Sequence, residues 1–412
     1  MLKRIGIEKL VVGMYLHEFC GSWMEHPFWR SSFVIRDSRE IDSIRASSIR
    51  EVWIDAAKGV DLAPGEVVLS VAESELQVDA ELATAAQAVR HIARVPTAAE
   101  FSRAAKIVAR SRQAVTSMFE EARLGMAVDA AGARRVVEEI SDSVSRNAGA
   151  LISLARLKTA DDYTYMHSVA VCALMVALAR QLGLDEEQTR SAGIAGLLHD
   201  LGKAVIPIEV LNKPGKLTDD EFAIVKSHPE QGYRMLLQGS GVDPVALDVV
   251  LHHHEKIDGS GYPKSARGDE ISTFARMSAV CDVYDAITSN RPYKAGWDPA
   301  ESLRKMAEWS AGHFDAKVFQ AFVRSIGIYP IGSLVLLSCG RLAVVTEQRG
   351  RSLLDPQVKV FFSTRSKTRI RPEVVDLARP GCQYKIVSRE DPAKWNFPDL
   401  DEIWSGMRLP GR

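Results

Sequence analysis

The chain has 412 residues, of which 46% are hydrophobic and 25% are charged. A chain of this length is expected to form roughly two to four folding units, and its composition excludes a largely disordered, collagenous or disulfide-stapled protein. Its 52 basic and 53 acidic residues leave a net charge of −1, which argues against a nucleic-acid polymer as partner.

The cysteines and the apolar runs indicate a cytoplasmic protein without a membrane span. The five cysteines are widely spaced and never form a CxxC pair, which favours a reduced compartment over a disulfide framework. The N-terminus lacks the sustained apolar run and cleavage site of a signal peptide. The longest apolar stretch, residues 169–179, is too short to cross a bilayer and predicts a buried helix.

A small β-rich N-terminal domain is predicted for residues 1–70. Short runs at 9–16, 31–35 and 51–55 are separated by polar or turn segments, as expected for strands. An aromatic cluster between two of them consists of Trp23, His26, Pro27, Phe28 and Trp29. We expect this cluster to belong to a core or an exposed hairpin, with ligand sensing as the alternative.

Residues 71–150 predict a helical arm, because they contain almost no Gly or Pro and because Ile107, Val115 and Phe119 recur at helical spacing. One or two long helices are expected. They could pack against the next domain, transmit a signal or pair with a second copy as a homodimer, although no heptad repeat is sustained.

The remaining chain divides into a mainly helical domain at 151–330, a small β module at 331–390 and a polar C-terminal tail at 391–412. The tail contains two tryptophans and is expected to dock on the body of the protein. The predicted fold class is therefore mainly α, with a mainly helical core between small β-rich modules.

Six histidines lie between residues 167 and 254, among other residue types that bind metals. His167 faces inward on a predicted apolar helix, where a lone histidine would more often be a core residue. His199 and Asp200 lie near the end of a second apolar helix, for which Gly202 is the predicted C-terminal cap. Imidazole suits Mn, Fe, Zn or Ni, and a carboxylate can bridge two ions.

Two further helix ends carry histidines. His228 is predicted at the end of a helix that begins with a capping box of Thr218 and Glu221. Residues 252–254 are all histidine and end a helix whose predicted N-cap is Asp243. Because successive helical residues diverge by about 100°, at least one of these three histidines is expected to be a bystander.

Two carboxylates and a lysine complete the constellation. Asp282 and Asp285 share one face of an apolar helix, so that burial would require a compensating charge. A metal would supply that charge, and Arg291 or Lys203 is the alternative for one of them. Lys203 follows His199 by four residues and would be well placed for a phosphate, although a surface lysine is the simpler interpretation.

Four motifs together resemble the HD-GYP domain over roughly residues 150–330: HD at 199–200, HHE at 253–255, DGSGYP at 258–263 and RPY at 291–293. The resemblance implies a bacterial cyclic di-GMP phosphodiesterase of the HD superfamily of metal-dependent phosphohydrolases, with an all-helical core. The segment GMYL with the following Trp and HPF is similar to an uncharacterised domain often found before HD-GYP.

The resemblance also implies a site with two or three transition metals, usually iron or manganese. The implied metal ligands are His167, His199, Asp200, His228, His253, His254 and Asp282. Asp200 would bridge the ions, and His252 would not be a ligand. The implied substrate-binding residues are Lys203, Gly261, Tyr262, Pro263 and Arg291.

One position departs from the family pattern. Trinuclear members have a Glu one helical turn before the first ligand histidine, where this chain has Tyr163. A phenol is a poor substitute for a bridging carboxylate, and Asp162 is rotated by about 100° from that position. We therefore predict two divalent ions rather than three.

The implied mechanism is attack on phosphorus by a hydroxide that the two ions generate from water. Asp200 and Lys203 are the predicted catalytic residues, with Lys203 and Arg291 stabilising phosphate charge. The product would be linear pGpG and, after a second round, GMP. The alternatives are a phosphohydrolase of another cyclic dinucleotide or nucleotide, and a cyclic di-GMP sensor or scaffold without turnover.

Overall fold

The computed structural model describes residues 2–21, 32–47, 49–62, 68–86, 95–157, 163–213, 217–239, 241–289, 296–348 and 352–407. It confirms a mainly α fold with a small antiparallel sheet near each end of the chain. The aromatic cluster at 23–29, Asp162 and Arg291 lie outside the described residues.

The N-terminal elements are β1 (Leu2–Gly6), β2 (Tyr15–Phe19), β3 (Phe33–Val34), α1 (Ser38–Arg45), β4 (Glu51–Asp55) and β5 (Leu69–Ser70). The strands form one antiparallel sheet in the order β3-β2-β4-β1-β5. Its core face contains the fully buried Leu16, Val52 and Ile54. The run at 9–16 is mostly a turn rather than a strand, because Gly13 adopts a φ of +93° that favours glycine.

The helical part consists of α2 (Val71–Ala86), α3 (Thr97–Arg123), α4 (Ala130–Arg156), α5 (Tyr163–Leu182), α6 (Glu186–Leu198), α7 (Ile208–Leu211), α8 (Asp219–Lys226), α9 (His228–Leu237), α10 (Pro244–His252), α11 (Thr273–Thr288), α12 (Pro299–His313) and α13 (Ala316–Ile326). Three helices, α2 to α4, thus replace the one or two long helices predicted for the arm. Ile107, Val115 and Phe119 of α3 belong to the same buried core as residues of α4, α5 and α6. The predicted apolar face of the arm therefore packs within the chain.

The central helix α5 carries the longest apolar run. It has 20 residues and is, among the described helices, the one long and apolar enough to cross a membrane by length and composition. However, 78% of its apolar window is buried inside the fold. Helix α5 extends beyond the apolar stretch at 169–179 on both sides. The prediction that this stretch forms a buried helix is confirmed.

The C-terminal elements are β6 (Leu334–Leu337), β7 (Arg341–Glu347), β8 (Gln357–Ser363), β9 (Thr368–Asp376), β10 (Ile386–Arg389), α14 (Pro392–Trp395) and α15 (Leu400–Ser405). The five strands form an antiparallel sheet in the order β10-β6-β7-β8-β9. The tail docks on the body, because Trp404 is buried with its ring centroid 5.9 Å from that of Phe101 on α3.

Candidate metal centre

Side chains from five helices that are separated along the chain converge in one buried region. Two groups of potential ligand atoms, each spanning no more than 4.8 Å, consist of Asp200, His228, His253 and His254, and of His167, His199 and Asp282. They come from α5, the end of α6, the start of α9, the end of α10 and the middle of α11. The structure thus brings together all seven side chains that the sequence nominated as metal ligands.

Asp200 lies between the two groups. Its Oδ2 atom is 3.5 Å from His167 Nε2 and 3.4 Å from His199 Nε2. Its Oδ1 atom is 3.3 Å from His228 Nε2 and 3.7 Å from His253 Nε2. Among the described residues this buried Oδ1 has no hydrogen-bond partner. Each oxygen therefore faces its own histidine pair, as expected for a carboxylate that bridges two ions.

Backbone carbonyl groups fix the orientation of three of these imidazoles. The Nδ1 atoms of His199, His228 and His253 lie 2.9 Å from Gly196 O, 2.7 Å from Val225 O and 3.0 Å from Val250 O, respectively. A carbonyl oxygen can only accept, so the proton resides on Nδ1 and the lone pair of Nε2 points into the centre. This is the tautomer that binds a metal through Nε2.

The separations between facing ligand atoms suit transition ions. Two atoms about 2.1 Å from one ion, at angles of roughly 90–110°, lie about 3.0–3.4 Å apart. The Nε2 atoms of His167 and His199 are 3.3 Å apart, and those of His228 and His253 are 3.1 Å apart. With both protons held on Nδ1, such nitrogen pairs cannot hydrogen-bond to each other, and a cation between them would satisfy both. The residues present therefore fit divalent metals.

Asp285 holds the fourth imidazole. Its Oδ2 atom is 2.6 Å from His167 Nδ1, while His167 Nε2 is 2.9 Å from Asp282 Oδ1. A carboxylate behind a histidine ligand fixes its ring and increases its basicity. The sequence placed Asp282 and Asp285 on one helical face, and the family resemblance nominated only Asp282 as a ligand, but nothing in the sequence indicated that Asp285 supports His167.

Burial and local charge act in opposite directions on the acidic groups. Burial would raise the pKa of Asp200, but the charge of Lys203 holds that pKa well below its ordinary value. Burial likewise opposes ionisation of Asp282, whose pKa is nevertheless well below the ordinary value because the His167 imidazole lies 2.9 Å from its Oδ1 atom. Burial lowers the pKa of His228 to about 4. Ionised carboxylates beside a neutral imidazole are the protonation states that a cation requires.

Two local predictions near the centre are wrong. Gly202 is not a helix cap, because α6 ends at Leu198 and Gly202 lies in a 3₁₀ helix at Leu201–Val205. His228 does not end α8 but is the first residue of α9, since the chain turns at Ser227 and resumes as a helix with proline in its first turn. By contrast, the predicted capping box at the start of α8 is present.

Comparison with known proteins identifies the family to which the chain belongs. Residues 2–133 match the model of a domain of unknown function, DUF3391, and residues 140–318 match the HD domain. The cyclic di-GMP phosphodiesterase PA4108 of Pseudomonas aeruginosa is 55% identical over 408 residues, which are 99% of this chain and 96% of that protein. The chain belongs to the HD-GYP family.

Other relatives match the part of the chain that contains the HD-GYP motifs more briefly. The cyclic di-GMP phosphodiesterase response regulator RpfG of Xanthomonas campestris is 44% identical over 149 residues, 36% of this chain and 39% of that protein. The 3′3′-cGAMP-specific phosphodiesterase 1 of Vibrio cholerae is 37% identical over 164 residues, 40% of this chain and 38% of that protein. The names of these relatives thus refer to two different cyclic dinucleotides.

The DGSGYP loop of this HD-GYP protein is anchored directly on the metal centre. The buried Glu255 accepts hydrogen bonds from the backbone nitrogens of Lys264 at 2.6 Å and Ala266 at 3.0 Å. A Cβ atom at Gly261 would lie 2.5 Å from His254 O, so a larger residue would displace the loop. Sequence reasoning noted Glu255 but did not find this anchoring role, which depends on residues that follow the loop.

The tyrosine of the loop packs on a predicted ligand. The ring of Tyr262 stacks on that of His254 with centroids 4.7 Å apart, and Lys226 Nζ lies 5.2 Å from the Tyr262 centroid. One face of Tyr262, an implied substrate-binding residue, thus meets an imidazole. Sequence reasoning missed Lys226, because nothing in its local pattern distinguishes it from a surface lysine.

The structure also shows what surrounds His252, His254 and Tyr163. His252 points away from both groups, with its Nδ1 atom 2.9 Å from Asp248 Oδ1. His254 links the groups, because its Nδ1 atom is also 3.8 Å from Asp282 Oδ2. The ring of Tyr163 stacks against His167 with centroids 5.7 Å apart. Tyr163 therefore supports a ligand histidine from one turn earlier on α5.

Proposed function

We propose that this protein is a cytoplasmic bacterial phosphodiesterase that hydrolyses cyclic di-GMP to linear pGpG and, in a second round, to GMP. The observation that carries the proposal is the convergence of all seven nominated ligand side chains in one buried region, where two histidines face each oxygen of Asp200. The 55% identity to a cyclic di-GMP phosphodiesterase over nearly the whole chain supports the same substrate.

The proposed cofactor is a pair of divalent transition ions, iron or manganese, that share Asp200. The group of His167, His199 and Asp282 would hold one ion, and the group of His228, His253 and His254 would hold the other. When bound, such ions neutralise phosphoryl oxygens and lower the pKa of water toward about 7. The stacking of Tyr163 on His167, where trinuclear relatives have a Glu, supports two ions rather than three.

The proposed roles of the other site residues concern the phosphate and the bases. Lys203 Nζ lies 2.5 Å from Asp200 Oδ2 and keeps part of its side chain in solvent, so it can turn toward a phosphate once a cation neutralises Asp200. Gly261, Tyr262 and Pro263 would form the wall of the substrate site. Arg291 would clamp two phosphate oxygens at once, which a lysine cannot do.

The catalytic unit is proposed to span residues 151–330, with the modules at 1–70, 71–150, 331–390 and 391–412 supporting it. A homodimer through the arm stays a prediction. Because the apolar face of α3 packs within the chain, such a dimer would have to use another face of the arm.

The proposal is tested with protein loaded anaerobically with manganese or ferrous iron. Cyclic di-GMP and 3′3′-cGAMP are offered separately, and the products are separated by chromatography. We expect cyclic di-GMP to be hydrolysed faster. Preferential hydrolysis of 3′3′-cGAMP would identify that dinucleotide as the substrate instead. Binding of a dinucleotide without hydrolysis of either one would identify the protein as a sensor.

We expect Asp200→Ala to lose at least about 100-fold in activity together with most of the bound metal, because one side chain serves both ions. The matched control is His252→Ala, which removes an imidazole that points away from both groups and should leave activity and metal content unchanged. Full metal content in Asp200→Ala would contradict the assignment of the bridging ligand.

A further inference from the structure

The N-terminal sheet contacts α12 of the catalytic unit through charged side chains that are largely buried. Arg4 on β1 keeps only 10% of its side chain exposed, and its Nη2 atom donates to Glu308 O on α12 at 2.7 Å. Lys305 on α12 keeps 13% exposed, and its Nζ atom lies 2.7 Å from Glu18 Oε2 on β2. Arg4 also pairs with Glu51 on β4.

These contacts are specific to the observed docking. Lys305 Nζ is also 3.6 Å from Glu308 Oε2, and Arg304 forms an ion pair with the other oxygen of the same buried carboxylate. Removing charges from water costs free energy that is recovered only when each charge meets its partner. If the sheet left α12, Lys305 would lose Glu18, and the backbone carbonyl of Glu308 would lose the hydrogen bond from Arg4. The charges therefore fix one relative position of the two parts.

The far end of α12 holds the DGSGYP loop. The backbone nitrogens of Asp258 and Ile257 donate to Gly312 O at 2.9 Å and to His313 O at 3.3 Å. Asp258 in turn accepts from the backbone nitrogen and the hydroxyl of Ser260, at 2.8 Å and 2.6 Å. The position of α12 thus determines where the loop enters the site.

The N-terminal domain also reaches this loop directly. Arg50, which precedes β4, places its Nε atom 3.7 Å from Asp258 Oδ2. The loop is therefore held from two directions by the same domain: indirectly through α12 and directly at Asp258. Three residues beyond Asp258, Gly261 begins the segment that packs on His254.

We propose that the N-terminal domain positions the DGSGYP loop for substrate binding, with Glu18 and Arg50 as positioning residues and Lys305 as their counterpart on α12. This inference rests on the proposed function, because the loop is the proposed wall of the substrate site. It gives the domain of unknown function a structural task within the catalytic unit.

The experiment is a charge exchange across the interface, with two measurements. Lys305→Glu places an acid against both Glu18 and Glu308, whereas Glu18→Lys with Lys305→Glu restores an ion pair of reversed sense with residue 18. We expect Lys305→Glu to raise the KM for cyclic di-GMP about tenfold with little change in kcat or metal content. We also expect amide hydrogen exchange of residues 257–263 to accelerate about tenfold. The double variant should move both values back toward wild type, because it restores the contact between the sheet and α12 while the repulsion from Glu308 stays.

Two further variants keep the test interpretable if Lys305→Glu folds poorly. Arg50→Ala removes an exposed pair and should raise KM by roughly two- to fivefold, in line with the small energies of such pairs. Lys3→Glu is the control, because Lys3 pairs with Asp61 inside the N-terminal domain and, within the described ranges, forms no ion pair or side-chain hydrogen bond with α12 or the loop. It should leave loop exchange and KM unchanged.

The two measurements separate the inference from the proposed function. Faster loop exchange in Lys305→Glu and its recovery in the double variant support the positioning role even if cyclic di-GMP is not the substrate. Unchanged loop exchange and unchanged KM in both Lys305→Glu and Arg50→Ala would overturn the inference. The inference would also be overturned if, in the double variant, neither the loop exchange rate nor the KM moved back toward the wild-type value.

Discussion

Each imidazole in the metal centre is fixed by what its Nδ1 atom donates to. His199, His228 and His253 donate to carbonyl groups of their own helices or of the preceding turn, so their orientation is local. His167 differs, because its partner Asp285 comes from another helix. A buried carboxylate behind a ligand strengthens the ligand, and its loss should weaken the site on that side.

We expect Asp285→Ala to lower the affinity for one of the two ions by about 10–100-fold. Asp285→Asn should have a milder effect, because its amide oxygen can still accept the proton of His167 Nδ1. Metal content after dialysis, measured by elemental analysis, distinguishes the two variants from wild type.

Asp248→Ala is the control for this prediction, since Asp248 pairs with His252 in the same way but outside both ligand groups. It should retain the wild-type metal content. Equal losses in Asp248→Ala and Asp285→Ala would indicate a general effect on folding rather than support of His167.

Helix packing brings the two ligand groups together, and glycine permits the closest contact. The 3₁₀ helix after Asp200 lies so near the start of α9 that a Cβ atom at Gly202 would be 1.9 Å from His228 O and 2.6 Å from Gly232 N. The obstructing atoms belong to the backbone, which cannot turn aside as a side chain can. This contact places His228 beside Asp200.

We expect Gly202→Ala to lower the free energy of unfolding by roughly 1–3 kcal/mol, as overpacking of a tight contact does. Metal content should fall as well, because α9 must move with His228. Chemical denaturation of the metal-loaded protein, followed by circular dichroism, measures the first effect.

Gly239→Ala provides the comparison, because its nearest obstructions, Val242 Cγ2 at 3.2 Å and Leu236 O at 3.3 Å, leave more than 1 Å of additional room compared with Gly202. Its effect should be smaller than that of Gly202→Ala, with metal content unchanged. A Gly202→Ala protein as stable as wild type and fully loaded with metal would refute the close-contact argument.

In the assembled molecule, the N-terminal sheet and the helical core share an interface in which Cys20 is partly buried. Cys20, just after β2, packs against the core formed by α5, α11, α12 and α13. Burial raises the pKa of Cys20 to about 12. The thiolate is the reactive form of cysteine, so a closed interface should make this thiol inert.

We expect iodoacetamide at pH 8 to modify Cys20 at least about 100-fold more slowly in the folded protein than in urea. Site-resolved mass spectrometry measures the rate, and Cys382 between β9 and β10, which is partly exposed as Cys20 is but lies away from this interface, is the internal reference. Opening of the interface in Lys305→Glu should accelerate labelling of Cys20. Labelling of native Cys20 as fast as that of Cys382 would show that the interface is open.

The helix starts in the catalytic unit could be predicted, because their signals lie within a few neighbouring residues. Thr218 with Glu221 and Asp243 with Pro244 cap helices where expected. The role of Gly202 could not be predicted, because a glycine near a helix end is equally consistent with a cap and with a close contact to a distant backbone. Likewise, the spacing of Asp282 and Asp285 indicated a shared face but not which of them faces the second histidine nitrogen.

The ligand side chains, the loop motif and the mainly α fold with β modules are all evident from the order of the residues. The folded structure adds which oxygen of Asp200 faces which histidines, that Asp285 supports His167, and that the N-terminal sheet docks on α12. The two kinds of information differ in the distance along the chain over which they are encoded. Residue types and helix caps are encoded locally, whereas ligand convergence and domain docking depend on packing between segments far apart in the chain.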